Sequence, residues 1–312
     1  MRHIFVNLKR FDVPRSLGGI CPNEDVSAWT RSVIDAAVEA KLGRMENVEV
    51  TFFFPESMVP VALAQHARYN ADAVRSLTIG CQSVFRKDVQ PGGNFGAFTT
   101  NLPAAAAKAM GCRWALIAHS EERADKHEIL CAYDPQILED PIKANQAYAA
   151  EDGIFAQEVT RALERGMDVV FCVGETAAER GDGTFEEQKP RIIDVLKRQL
   201  GALKGTEALL EGRQLWIGYE PVWAIGPGKT PPDAPYIAFV SDAIKKILRE
   251  EIGMDIPVVY GGGLKKENAA AISAVDTVDG GLVALTKFTQ PVAFEPAGLK
   301  EIIDEYMEGY EK

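Results

Sequence analysis

One pattern recurs along the chain: a short run of β-branched or aromatic apolar residues is followed by a longer amphipathic segment. Continuous apolar runs of this length are typical of strands that are buried on both faces, as parallel sheets require. The pattern therefore predicts strands at residues 3–7, 48–54, 77–81, 114–117, 168–172, 215–219, 257–260 and 280–284.

Helical periodicity separates these runs. It predicts helices at residues 27–41, 157–165, 188–203, 237–251, 265–275 and 296–307. Alternating strands and helices indicate an α/β fold, and eight strands favour a single (β/α)8 barrel spanning residues 1–312. A doubly wound open sheet, usually with fewer strands, is the alternative. In a barrel the chemistry sits in the loops that follow the carboxyl ends of the strands.

Charge and cysteine content limit the possible partners. The 34 Lys and Arg residues against 45 Asp and Glu give a net charge of −11. This acidic balance argues against nucleic acid and anionic membranes, which need clustered positive charge, and we expect a small-molecule ligand.

Five cysteines without a Cys-x-x-Cys pair suit a reducing compartment. With no run long enough for a signal peptide or a membrane span, we expect a cytoplasmic protein.

Three reactive side chains follow predicted strands. Lys9 comes after the first, His119 after the fourth and Glu220 after the sixth. A carboxylate is a suitable base for a proton next to a carbonyl, a histidine can polarise that carbonyl, and a cation stabilises an enediolate. Taken singly, each has a plain alternative: a solvated lysine, a structural histidine and one glutamate among many. Their convergence on one rim favours a catalytic site.

The residues after His119 resemble a helix start. Ser120 is a good helix N-cap, and Glu121 and Glu122 suit a first turn. These residues can simply begin a helix. The functional interpretation is that the helix N-terminus faces the imidazole and keeps it a neutral donor.

A proline-bounded stretch with two glycines follows Glu220 and is typical of a lid that closes on hinges. It consists of Pro221, Val222, Trp223, Ala224, Ile225, Gly226, Pro227, Gly228, Lys229 and Thr230. A phosphate-binding Walker loop is excluded because that motif requires glycine at the position of Trp223. After the seventh strand, the triplet 261–263 offers bare backbone amides to a phosphate, although glycine triplets also form plain turns.

These segments together resemble the triosephosphate isomerase family. The matching stretches are Asn7-Leu8-Lys9, Gly96-Ala97-Phe98-Thr99, Ile117-Ala118-His119-Ser120-Glu121, Cys172-Val173-Gly174-Glu175, Tyr219 to Thr230, Tyr260-Gly261-Gly262 and Asp279-Gly280. They occur in order from the first strand to the eighth, so the resemblance covers nearly the whole chain.

The resemblance implies a TIM barrel and an aldose–ketose isomerase that needs neither metal nor cofactor. It assigns proton transfer to Glu220, carbonyl polarisation to neutral His119 and substrate anchoring to Lys9; this use of a neutral histidine is a worked example of pKa tuning. Asn7 and Glu121 would lie beside Lys9. The resemblance also implies substrate contacts that involve Asn7, Lys9, Gly226, Gly262, Gly263, Ala284 and Leu285.

The family is usually dimeric, and the resemblance implies that Thr99 approaches Asn7 and Lys9 of a partner subunit. Two residues at that predicted interface depart from the family pattern. Glu122 replaces an arginine and Asn101 replaces a glutamate, so the family's intersubunit ion pair cannot form in that way. We therefore expect a homodimer or a larger homo-oligomer.

Other departures concern substrate binding. Gly263 replaces a serine whose hydroxyl would latch the closed lid, and Pro231, which lacks an N–H, replaces the lid's final alanine. Ala284 and Leu285 replace a glycine pair whose amides hold phosphate. Lys287 could supply a charge from the side, or it could be a solvent-facing lysine at a helix start.

Three loops on the catalytic face are longer than usual. They are residues 10–24, 83–95 and 126–153, and the last is interpreted as a loop insertion after the fourth strand. Longer loops at this position alter access to the site, the choice of substrate or the assembly of subunits. Alternatively, they are surface insertions without a functional role.

The leading hypothesis is the interconversion of D-glyceraldehyde 3-phosphate and dihydroxyacetone phosphate through an enediol(ate), because Asn7, Lys9, His119, Glu121 and Glu220 are all present. The second is the same chemistry on another short sugar phosphate, such as a tetrulose phosphate, or on a sulfonate analogue. A non-catalytic metabolite-binding relative and a class I aldolase are weaker alternatives. The aldolase would need a Schiff-base lysine where Glu220 stands.

Overall fold

The computed structural model describes residues 1–226 and 228–310 and shows a closed barrel of eight parallel strands in sequence order. Strand β8 pairs with β1, with His3 opposite Gly280, and this pairing closes the barrel. The predicted (β/α)8 architecture is confirmed. The strands are β1 Arg2–Asn7, β2 Val48–Phe54, β3 Leu77–Cys81, β4 Trp114–Ile117, β5 Asp168–Val173, β6 Leu215–Tyr219, β7 Val258–Tyr260 and β8 Gly280–Val283.

Helices surround the barrel. They are α1 Val26–Glu39, α2 Val59–His66, α3 Ala104–Met110, α4 Ser120–Tyr133, α5 Pro141–Glu164, α6 Ala177–Arg180, α7 Phe185–Leu200, α8 Ala234–Ile247, α9 Lys266–Ser273 and α10 Pro296–Tyr310. No helix within the described residues is long and apolar enough to cross a membrane.

Alternate strand residues point into the barrel, where bulky side chains fill the interior. Gly80 of β3 leaves room for the ring of Phe53, because a Cβ at this position would lie 2.7 Å from that ring. The interior is therefore a packed core and not a pore. Its members are Phe5, Phe53, Trp114, Leu116, Val170, Cys172, Trp216, Val259 and Leu282.

The segment 126–153, interpreted above as a loop insertion, is largely helical. Helix α4 continues to Tyr133, and α5 begins at Pro141 and runs for 24 residues. Asp140 caps α5 by accepting from the Ile142 N–H, with Pro141 in the first turn, so the Asp-Pro pair marks a helix start. Helix α4 buries no side chain completely, and its sequence therefore carries no clear apolar periodicity.

The segment between β8 and α10, residues 284–295, forms a folded loop. Lys287 and Ala293 exchange backbone hydrogen bonds of 3.0 and 3.2 Å across it. The Thr286 hydroxyl donates to the Glu295 carbonyl at 2.9 Å and accepts from the Glu295 N–H at 2.7 Å. Phe294 is buried and packs edge-on against Phe52. These contacts fix this β8–α10 loop beside the carboxyl end of the barrel.

The packed interior predicts that two leucines contribute very differently to the free energy of unfolding. Leu116 is 2% exposed inside the barrel, whereas Leu138 is 72% exposed between α4 and α5. We expect Leu116→Ala to lower the free energy of unfolding by about 2–5 kcal/mol, because it leaves a cavity. Leu138→Ala should change it by less than about 0.5 kcal/mol. Denaturant unfolding of both variants at equal protein concentration measures the difference; equal effects would contradict this assignment of the core.

Candidate active site

The carboxyl ends of β1, β4 and β6 bring the predicted side chains together. Asn7 is the last residue of β1, His119 lies two residues after the end of β4, and Glu220 directly follows β6. Together with Lys9 they line one cavity of about 500 Å³. Gly226, Gly262, Gly263, Ala284 and Leu285, predicted to contact substrate, line the same cavity.

Lys9 is held by hydrogen bonds to its backbone and to its ammonium group. Its φ of 40° lies in the left-handed region, which costs energy for a residue other than glycine. Its N–H donates to Asn7 Oδ1 at 2.9 Å. Gln82, which the sequence analysis did not single out, donates to Asn7 Oδ1 at 3.1 Å and to the Lys9 carbonyl at 2.9 Å. The Lys9 ammonium pairs with Glu121 Oε1 at 2.8 Å, so Glu121 lies beside Lys9 as expected.

His119 and Glu220 are in direct contact. His119 Nε2 lies 3.0 Å from Glu220 Oε1. The backbone N–H of Ser120 donates to Glu220 Oε2 at 2.9 Å and its hydroxyl to Oε1 at 3.1 Å. The Glu220 side chain is 4% exposed and that of His119 is 12% exposed, which places this contact in a largely desolvated environment.

The contact shifts both pKa values. Burial lowers the pKa of the His119 imidazole, but the charges of Glu220 and Glu121 outweigh burial and raise the pKa above its ordinary value. Burial raises the pKa of the Glu220 carboxyl, whereas His119 and the two Ser120 donors hold it below its ordinary value. The contact with Glu220 therefore stabilises the imidazolium form of His119 relative to a free imidazole.

The other ring nitrogen favours the neutral form. His119 Nδ1 accepts a hydrogen bond of 3.3 Å from the Glu121 N–H at the start of α4, which requires this nitrogen to be unprotonated. The neutral tautomer with its proton on Nε2 satisfies both contacts, because Nε2–H can donate to Glu220 Oε1 while Nδ1 accepts from Glu121.

Two residues of α4 fix the backbone that precedes His119. Ala118 has a φ of 61°, a left-handed conformation that is unfavourable for alanine. Its N–H donates to Glu122 Oε2 at 2.8 Å, and its carbonyl accepts from Arg123 Nε at 3.1 Å. Arg123 in turn donates to Asp152 and to the Cys172 carbonyl. Glu122 therefore has an inward-facing role near His119, which the sequence did not reveal.

The predicted lid begins at a buried group of hydrogen bonds centred on Glu175. Trp223 Nε1 donates to Glu175 Oε1 at 2.7 Å, and the hydroxyls of Tyr219 and Tyr236 donate to the same oxygen. Burial raises the pKa of Glu175 although these donors oppose the shift. The Arg180 guanidinium lies 3.7 Å from the centre of a Trp223 ring. Of the predicted lid residues, Pro227 lies outside the described residues.

Glycine is required where the loop after β7 turns at Gly262. A Cβ at Gly262 would lie 2.4 Å from the Tyr260 hydroxyl and 2.5 Å from Pro221. Tyr260, which loses the family's latch partners, donates instead to the Gly262 carbonyl at 2.9 Å. Gly263 has a φ of 96°, a conformation that a serine adopts only with strain.

The charged residues at this end of the cavity differ from those that the sequence suggested. Lys287 pairs with Glu295 at 3.2 Å within the β8–α10 loop and does not line the cavity. Lys265, which the sequence analysis overlooked, does line it, as does Lys229 of the predicted lid. With Lys9, three ammonium groups border a cavity in which Glu220 is the lining carboxylate within the described residues. A local excess of positive charge can therefore attract an anion to a protein of net charge −11.

Comparisons with known proteins agree with this geometry. The family model described as triosephosphate isomerase matches residues 30–292. A triosephosphate isomerase of Oleidesulfovibrio alaskensis is 34% identical over 227 residues, which cover 72% of this chain and 76% of that protein. The chain belongs to the triosephosphate isomerase family. It is therefore an isomerase of the triosephosphate isomerase type.

Two further comparisons extend this result. A triosephosphate isomerase of Legionella pneumophila strain Lens is 32% identical over 212 residues, 66% of this chain and 70% of that protein. The crystal structure of a triosephosphate isomerase from Bartonella henselae covers 98% of this chain and 99% of its own, with a TM-score of 0.65 and 21% identity. The latter likeness supports the barrel fold.

The ion pair between His119 and Glu220 predicts a measurable pKa change. We expect Glu220→Gln to lower the pKa of His119, because burial would then act with less opposition from nearby carboxylates. The imidazolium should lose its proton at lower pH in the variant than in the wild type. Histidine NMR titration measures this, with the resonance assigned from His119→Asn. Glu301→Gln on α10 is the control; an unchanged His119 pKa in Glu220→Gln would contradict the contact.

Proposed function

We propose that this chain interconverts D-glyceraldehyde 3-phosphate and dihydroxyacetone phosphate through an enediol(ate) intermediate. The observation that carries the proposal is the pairing of an imidazole and a carboxylate at 3.0 Å in a cavity that Lys9 also lines. Membership in the triosephosphate isomerase family supports an isomerase over an aldolase or a non-catalytic binding protein. The reaction would place the enzyme in glycolysis and gluconeogenesis.

The roles of the residues follow from their positions. Substrate binding draws the Glu220 carboxylate from His119 to the substrate carbon, where it takes a proton and returns it to the neighbouring carbon. His119, now neutral, donates from Nε2 to the carbonyl oxygen as negative charge develops there. The Lys9 ammonium stabilises the enediolate, while Asn7 and Glu121 hold Lys9 in place through the contacts at its N–H and Nζ.

A shorter base tests this assignment. We expect Glu220→Asp to lower kcat by about 100-fold or more, because withdrawing the carboxylate by roughly one carbon–carbon bond misplaces it. Glu220→Gln should abolish most turnover, because an amide cannot accept the proton. A coupled assay with glyceraldehyde 3-phosphate measures kcat and KM, and Glu301→Asp on α10 is the control. An unchanged kcat in Glu220→Asp would exclude Glu220 as the base.

A second substrate class is favoured by one observation. The β8–α10 loop places Phe288 and Val292 in the wall of the cavity, next to Leu285. These apolar side chains alter the end of the site at which the family binds phosphate. The same proton transfer on a tetrulose phosphate or a sulfonate analogue is therefore the alternative. A substrate panel decides between them: for triose phosphates, a kcat/KM near the diffusional limit rejects the alternative.

We also propose a homodimer in which Thr99 approaches Asn7 and Lys9 of the partner subunit. Thr99 and its neighbours lie on an exposed loop, in which Phe95 is 90% exposed. Exposure of a large aromatic residue on a loop suits a contact surface. Free thiols at all five cysteines support the proposal that the enzyme works in the reducing cytoplasm.

The dimer proposal predicts linked losses of assembly and activity. We expect Thr99→Arg to shift the protein toward the monomer, because a bulky charge would enter a closely packed contact. Its kcat/KM should fall at the same protein concentrations. Sedimentation and kinetics across a dilution series measure both. Leu138→Arg, on the exposed segment between α4 and α5, should change neither; assembly lost only in Leu138→Arg would place the interface elsewhere.

A further inference from the structure

Lys265 is a cation in the active-site cavity without a neutralising partner. It directly precedes α9, is partly buried and lines the cavity that His119 and Glu220 share. Within residues 1–226 and 228–310, no carboxylate lies within 4 Å of its ammonium group. The adjacent Lys266 differs: it is exposed and pairs with Glu301 at 3.0 Å.

An aromatic ring holds this ammonium group. Lys265 Nζ lies 4.2 Å from the centre of the Phe288 ring, which belongs to the β8–α10 loop and also lines the cavity. The face of an aromatic ring attracts a cation without neutralising its charge. An arriving anion can therefore still form a charge-assisted hydrogen bond with the ammonium.

Other polar groups at this end of the cavity are absent or already engaged. Gly263 has no hydroxyl and Pro231 has no N–H, so the two groups expected to latch the lid are absent. The N–H groups of Thr286 and Lys287 both donate to the Ala293 carbonyl, at 3.2 and 3.0 Å. The Lys287 ammonium is engaged by Glu295. Lys265 is thus a positive group that lines this end and has no anionic partner of its own.

We propose that Lys265 binds the anionic end group of the substrate, a phosphate or a sulfonate, and that Phe288 positions its ammonium for that contact. The pair sets specificity at the end of the substrate opposite the carbon from which Glu220 takes a proton. This inference rests on the proposed isomerase function. Anion binding by Lys265 and Phe288 can nevertheless be measured without turnover, so the two proposals can be tested separately.

The first experiment measures anion binding directly. Inorganic phosphate and methanesulfonate are titrated by calorimetry into the wild type and into Lys265→Met, which keeps the length of the side chain. Loss of one charge-assisted hydrogen bond should weaken binding by about 10- to 100-fold. Lys265→Arg should retain most of the affinity, and Lys266→Met is the matched control. The relative affinities of the wild type for phosphate and methanesulfonate then identify the end group of the substrate as a phosphate or a sulfonate.

Kinetics separate binding from chemistry. With a substrate that the wild type converts, Lys265→Met should raise KM by a similar factor and leave kcat nearly unchanged, because Lys265 lies away from the reacting carbon. Equal phosphate, methanesulfonate and substrate affinities in the wild type and Lys265→Met would overturn the proposal. If the wild type binds phosphate but converts no triose phosphate, the proposed substrate fails while the role of Lys265 is still tested by calorimetry.

A double-mutant cycle tests the positioning role of Phe288. We expect Phe288→Leu to raise KM by about 2- to 5-fold, the range for an exposed cation–π contact. Because the ring acts through the ammonium, Phe288→Leu combined with Lys265→Met should be no weaker than Lys265→Met alone. Additive losses would show that Phe288 contacts the substrate independently and would overturn its positioning role. Thermal unfolding of each variant verifies that the barrel is intact.

Discussion

The pairing of β8 with β1 is the constraint on which the rest of this molecule depends. His3 to Val6 lie opposite Gly280 to Val283, and this register closes the parallel barrel. Since all strands then point the same way, the residues that follow β1, β4, β6, β7 and β8 meet around one cavity. The packed interior below it, including Phe5 and Trp114, supports the floor of that cavity.

The end of the cavity that contains His119 and Glu220 is organised by backbone strain and by hydrogen bonds. Lys9 and Ala118 both adopt left-handed backbone conformations. Gln82 donates to the Lys9 carbonyl, Arg123 donates to the Ala118 carbonyl, and Glu122 accepts from the Ala118 N–H, which holds the segments around them. His119 experiences two opposing influences, an N–H directed at Nδ1 and a carboxylate at Nε2. The carboxylate stabilises the imidazolium, whereas the N–H directed at Nδ1 requires that nitrogen to be unprotonated.

The residues at the opposite end of the cavity differ from the family pattern. Gly263 and Pro231 lack a hydroxyl and an N–H that are typical of the triosephosphate isomerase family. Ala284 and Leu285 put side chains where the family has a glycine pair, and the β8–α10 loop adds apolar walls. Lysines on three separate segments supply positive charge instead. A long flexible ammonium tolerates more variation in substrate length than fixed amides do, because it can follow the anion. The cavity therefore combines the His119–Glu220 pair with an arrangement of positive charge that differs from the family pattern.

The sequence by itself determined the barrel, its strand positions and the residues brought together at the strand ends, because apolar periodicity and motif order are local properties of the chain. It did not reveal that residues 126–153 are largely helical, because α4 has no fully buried stripe. Only the tertiary structure decided which lysine lines the cavity. Lys287 is turned to Glu295 by the Lys287–Ala293 bridge, whereas Lys265 is brought over Phe288, 23 positions along the chain, by the adjacency of β7 and β8. Such a contact depends on how distant segments pack, which local sequence patterns do not encode.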